Sequence, residues 1–114
     1  MDAIANITYE FDEKNGNGAN IATAEILDTD TWDEYGTFTL PISNPIPEYY
    51  SDNMTDSDME TWVAIARCSI IVQLLAVTLD NPLGDGKRYG FQNVTVEEDN
   101  IGIFHLIAEV VEKP

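Results

Sequence analysis

The chain has 114 residues, 44% of them hydrophobic, and sets 21 Asp and Glu against five Lys and Arg for a formal charge of −16. So much apolar and aromatic content excludes an acidic disordered tail and predicts one domain over residues 1–114. Five basic residues exclude direct nucleic-acid binding, and the uncharged run Cys68 to Leu79 is too short to cross a membrane.

The N-terminal Met1-Asp2-Ala3-Ile4 has no basic n-region and no long apolar stretch, which predicts no secretory leader and a cytoplasmic location. Cys68 is the only cysteine, so no internal disulfide can form, as suits a reducing compartment.

Ala5, Ile7, Tyr9 and Phe11 alternate with Asn6, Thr8, Glu10 and Asp12, the period of a half-buried strand. Lys14-Asn15-Gly16-Asn17-Gly18 then carries Asn-Gly twice, a hairpin signal. Ile21 to Leu27 reads as the returning strand, although the small Ala22 and Ala24 blur its alternation. Gly36 opens a third strand with Phe38, Leu40 and Ile42 on one side. Pro41 within it predicts a sheet edge, because proline cannot donate to a ladder.

Thr55-Asp56-Ser57-Asp58 is a cluster of N-cap residues with acids where a helix dipole favours them. Met59, Trp62 or Val63, Ala66, Ile70, Leu74 and Val77 recur at helical spacing, and Asn81-Pro82 with Gly84 is the expected stop. After Arg67 the helix loses its polar face, which predicts burial on several sides or contact with a second chain. Tyr89 to Glu97 and Ile101 to Glu112 are the last strands. A bulge near Gln92–Asn93 reconciles Tyr89 and Phe91 with the opposite phase of Val94 and Val96. The final strand is apolar on both faces, the pattern of a central strand covered on both sides. The expected architecture is α+β: a mostly antiparallel sheet of about five strands in the order β-β-β-α-β-β, with one long helix on one face.

Catalytic chemistry is poorly supplied. The single histidine, His105, and Cys68 both sit in segments that read as buried, where cysteine is usually inert. No enzyme activity, catalytic residue or cofactor is expected. Asp28-x-Asp30 and Glu13-x-Asn15-x-Asn17-Gly18 begin like calcium loops. The first has Trp32 and Thr39, and the second Ala24, where decisive ligands belong, so no metal site is expected.

The acids are concentrated in two places. Asp28, Asp30, Asp33 and Glu34 share a short connection with Trp32 and Tyr35. Glu48, Asp52, Asp56, Asp58 and Glu60 share the next connection and the helix start with Tyr49 and Tyr50. Carboxylates two apart on an extended chain are about 6.6–6.8 Å apart, and Asp56 and Glu60 about 5–6 Å apart at Cβ on a helix. Successive phosphates of a nucleic-acid strand are spaced on a similar scale. Such a row of anions can occupy a nucleic-acid-binding groove, with Tyr and Trp supplying affinity and charge supplying encounter rate.

In being small, single-domain and strongly acidic, the chain resembles phage-encoded anti-restriction and anti-CRISPR proteins; the resemblance is of composition, and no motif carries it. It implies an inhibitor that presents a DNA- or RNA-like surface to a basic nucleic-acid-binding protein, as a nuclease immunity protein does. Segments 28–35 and 48–60 are expected to form one partner surface at one end of the sheet. The alternative expectation is a small structural or assembly protein, for example a virion component, working as a homodimer or higher oligomer.

Overall fold

The structure is a computed structural model that describes residues 2–10, 21–42, 55–99 and 103–114. The Asn-Gly hairpin at 14–18, the segment around Glu48, Tyr49, Tyr50 and Asp52, and Ile101 lie outside the described residues. The described residues form six strands and one helix in the order β1 (Ala3–Glu10), β2 (Ile21–Asp28), β3 (Glu34–Thr39), α1 (Asp56–Leu75), β4 (Leu79–Asp80), β5 (Arg88–Asp99) and β6 (Ile103–Glu112). They form one antiparallel sheet in the spatial order β3-β2-β1-β6-β5-β4.

The α+β class is as expected, with a sixth strand that the sequence pattern concealed. The helix stops at Leu75, before Asn81-Pro82, and the Val77 N–H closes its last turn on the Leu74 carbonyl at 3.1 Å. Val77 then drops into the core, and Leu79 and Asp80 pair with Tyr89 and Arg88. β-branched Val77 and Thr78 disfavour another helical turn, and the strand pairing takes the backbone groups that turn would have used.

The start of the helix is as the sequence predicts. The Thr55 hydroxyl accepts from the Asp58 N–H and the Asp58 carboxylate accepts from the Thr55 N–H, both at 3.1 Å, a reciprocal capping box. Trp62, Ala66, Ile70 and Leu74, four residues apart, form the buried stripe. Of the two expectations for α1, burial on several sides within this chain is not met: Ile65, Val72 and Leu75 are 50%, 66% and 48% exposed, which leaves contact with a second chain as the other.

The sheet receives that stripe on a surface of alternating large and small residues. Register places Ala5 between Ile26 and Ala108, Ile7 between Ala24 and Leu106, and Tyr9 between Ala22 and Phe104, all buried. Ala22 and Ala24, which blur the alternation of β2, are its core face. The Tyr9 and Phe104 rings meet edge to face with centroids 6.2 Å apart.

The bulge in β5 falls where the phase change requires it. Register shifts between Gln92 and Thr95, and Asn93 adopts φ 51°. Its amide donates to Glu109 at 2.5 Å, and Gln92 reaches the same carboxylate at 3.4 Å. Phe91 and Val96 thereby face one core, paired with buried Val110 and Leu106. Near the start of β5, Gly90 leaves room for the Lys113 side chain, which a Cβ there would strike.

β3 lies at a sheet edge, as Pro41 implied, but it ends at Thr39, before the proline. β6 is central, yet the described residues cover only one of its faces. Ile103 is 37% exposed, and His105 and Glu109 share that open face with Ile107. The expectation of two covered faces missed that these polar residues alternate with the isoleucines.

Two outcomes follow for stability. Leu106→Ala, at a site 1% exposed, should lower the free energy of unfolding by about 2–5 kcal/mol in urea titration. Because five basic side chains can offset only five of 21 carboxylates, the melting temperature should rise as monovalent salt screens their repulsion; differential scanning calorimetry across salt concentrations checks this.

Candidate functional site

The turn between β2 and β3 is built around one carboxylate. Asp28 Oδ1 accepts the backbone N–H groups of Asp30 at 2.8 Å and Thr31 at 3.1 Å, and its Oδ2 accepts the Tyr35 hydroxyl at 2.9 Å. The Trp32 N–H donates to the Asp28 carbonyl at 2.8 Å, and the Asp28 N–H to the Asp33 carbonyl at 2.9 Å. Thr31 Oγ1 accepts from the Asp33 N–H at 3.2 Å. Thr29 ties the turn to the start of β1 through the Asp2 carbonyl, 3.1 Å from both its N–H and its hydroxyl.

This frame holds Trp32 at φ 62° with its side chain 62% exposed. A bulky residue in the left-handed region is disfavoured by its own Cβ. The bonds on either side hold it there, and the indole stands at the turn with exposed Asp30, Asp33 and Glu34 as chain neighbours. Glu34 is fixed in turn by the Thr37 hydroxyl, which donates to it at 2.8 Å.

The hydrogen bonds from the Thr31 and Asp30 N–H groups and then the Tyr35 hydroxyl hold the Asp28 carboxyl below its usual range. Partial desolvation, and then the bond to Asp28, push the Tyr35 phenol up. At the far edge of the sheet the Asp85 carboxylate accepts the Tyr89 hydroxyl, which lowers the acid and pushes the phenol up to about 12.

Topology separates the two acidic segments. Asp28 pairs with Ala3, whereas Thr39 pairs with Thr23 at the Tyr9 end of the sheet. The close of α1 is fixed at the Ala3 end, where Lys113 Nζ donates to the Val77 carbonyl at 2.9 Å. The 20-residue helix is about 30 Å long, so Asp56, Asp58 and Glu60 stand at the opposite end. Asp28, Asp30, Trp32, Asp33, Glu34 and Tyr35 are together; the described members of the second segment are not beside them. For Asp56, Asp58 and Glu60, the described acids of the second segment, the expectation of one joint surface is corrected to two acidic ends, because β3 carries the chain along the sheet between them.

Exposed Glu10, Glu97 and Glu98 lie at the helix-start end, at the far ends of β1 and β5. They are remote in sequence from 48–60, and only strand register brings them to it. Three of the five basic residues gather elsewhere: Lys87 pairs with Glu112 at 3.0 Å, Arg88 donates to the Pro114 carbonyl at 3.0 Å, and Lys113 reaches Val77 and Thr78. That corner lies beside β4, at the sheet edge opposite β3.

Cys68 and His105 are both exposed, contrary to the burial their segments suggested. Cys68 is on the outer side of α1 and His105 on the open sheet face, with the sheet between them, so they cannot act as a pair. His105 Nδ1 is 3.5 Å from Thr8 Oγ1. Among the described residues no group of three His, Cys, Asp or Glu could hold a metal ion, and no helix is long and apolar enough to cross a membrane. Comparison with family models, curated proteins and solved structures gives no match.

The folded-state pKa of Asp28 lies below its unfolded value. Its contribution to stability is therefore present above the unfolded pKa, about 3.9, and is lost as pH falls through the lower folded value. The stability difference between wild type and Asp28→Asn should stay level above about pH 5 and shrink below about pH 4. Urea unfolding followed by tryptophan fluorescence at each pH measures both.

Proposed function

We propose that this chain is an acidic inhibitor that binds a basic nucleic-acid-handling protein, offering carboxylates where that protein expects phosphates. The observation that carries the reading is Trp32, an indole 62% exposed in a left-handed backbone, on a turn whose exposed carboxylates cannot be neutralised by the few cations of this chain. A solvated acidic turn has no need of a tryptophan. An interface does, because a rigid aromatic anchor supplies affinity while surrounding charge sets orientation and association rate.

Arginine is the natural counterpart on the partner. Its guanidinium can stack on the indole face and donate to an adjacent carboxylate. Basic grooves that grip phosphates are rich in such side chains. Trp32, Asp30, Asp33 and Glu34 make contact in this reading, while Asp28 and Tyr35 hold the turn in shape. Asp56, Asp58 and Glu60, with Glu10, Glu97 and Glu98, form a second anionic end that a long groove or a second partner molecule can reach.

The test uses immobilised chain and a panel of purified basic proteins comprising nucleases, restriction enzymes and CRISPR effectors. Short duplex DNA and sodium chloride of matched ionic strength serve as alternative eluents. A bound panel member should leave with duplex DNA at an ionic strength where salt alone retains it. Trp32→Ala should cost about 2 kcal/mol of binding, and Asp30→Lys with Asp33→Lys should weaken binding and flatten its salt dependence. Absence of binding across the panel, release by salt alone, or wild-type affinity in these variants would overturn the reading.

A further inference from the structure

The outer side of α1 carries a pattern that neither the core nor the acidic turn uses. Ile65, Cys68, Val72 and Leu75 follow one another at spacings of three, four and three, the a and d positions of a heptad seam. Cys68 is exposed, and Ile65, Val72 and Leu75 are about half to two-thirds exposed. They face away from Trp62, Ala66, Ile70 and Leu74, which meet the sheet. Positions beside the seam are small or apolar: Ala64, Ser69, Ile71 and Ala76.

Charge decides what can cover this stripe. Thr61 to Leu79 contains no carboxylate, and Arg67 is its one charged residue, in a chain of net charge −16. A second copy, repelled over most of the surface, can approach here. Parallel docking would set Asp56, Asp58 and Glu60 of the two copies side by side. Antiparallel docking sends them to opposite ends and leaves no like-charged pair within the seam. It also matches side-chain sizes about a two-fold axis near Ile70: Ile65 meets Leu75, Cys68 meets Val72, and Ala64 meets Ala76.

We propose that the outer face of α1 is a self-association seam on which a second copy of this chain docks its own α1 antiparallel. The result is a sheet–helix–helix–sheet stack with the Trp32 turns left open. From Ile65 to Leu75 the seam covers about 15 Å of helix, too little to reach the roughly 800 Å² per partner of a standard stable interface. The association is therefore weak and reversible. Two copies of net charge −16 repel each other over the rest of their surfaces, so screening tightens the dimer.

Sedimentation equilibrium on the full chain, with reductant present, tests the association. The mass should rise from 12.7 kDa toward twice that value with concentration. The dissociation constant should fall by about tenfold or more between about 50 mM and about 1 M sodium chloride. Val72→Glu, at an exposed site, should keep the far-UV spectrum and melting temperature yet remain monomeric. A wild-type monomer at both salt concentrations, or an undiminished dimer in Val72→Glu, overturns the proposal.

Orientation is read by mixing wild-type chain with Cys68→Ser/Val72→Cys chain and adding a short bismaleimide. Cross-linking between Cys68 of one chain and the introduced cysteine of the other should outpace cross-linking between identical chains. Faster linkage of wild type to itself would mean parallel docking and overturn the antiparallel seam.

Discussion

Trp62, Ala66, Ile70 and Leu74 lie on a sheet surface whose central rows pair large residues with small ones, and the rest of the molecule is arranged around that contact. Ala5, Ala24 and Ala108 alternate with Ile7, Tyr9, Phe104 and Leu106 on the buried sheet face, in one core with the helix stripe, and the helix backbone comes nearest to β5. The contact uses one side of one helix and one face of one sheet. Among the described residues it leaves the outer side of α1 and the opposite sheet face uncovered, and the Trp32 turn and the helix seam both lie outside it. Truncating a buried residue in these rows opens a cavity that neighbours can only partly close.

The same contact orders the charges. With the end of α1 tied to the close of β6 and its start at the far end of the sheet, the two acidic segments stand apart instead of concentrating repulsion in one place. Lys87, Arg88 and Lys113 stitch the β4–β5 turn to the C-terminal residues, where they hold structure together. Elsewhere Asp58 caps α1, Glu34 accepts from Thr37 and Glu109 accepts from Asn93, while Asp30 and Asp33 are exposed at the β2–β3 turn. At the β2–β3 turn a single acid, Asp28, has the opposite role: it accepts three hydrogen bonds and stabilises the conformation that exposes Trp32.

Features governed by neighbours in the chain were legible in advance. The capping residues at Thr55 to Asp58 fixed the helix start, the alternation of Ala5 to Tyr9 fixed β1, and the phase change between Phe91 and Val94 located the bulge at Asn93. Trp32 and the acids around it could be singled out by composition alone. The end of α1 was misread because Val77 and Leu79 continue the apolar pattern across a boundary set by pairing with Tyr89. The exposure of Cys68, Ile65 and Val72 was equally hidden, since an apolar run does not say which of its sides finds a partner.

By itself the sequence determined the class of fold, the excess of negative charge and the local geometry of caps and strand phases, because these depend on residue type and on spacings of a few positions. Only the tertiary structure decided that segments 28–35 and 56–60 lie at opposite ends, that Glu10, Glu97 and Glu98 join the second, and that half of an apolar helix faces solvent. Those outcomes depend on strand order, register and the single face that one helix can cover. Each is a long-range choice made by packing, which residue spacing along the chain does not encode.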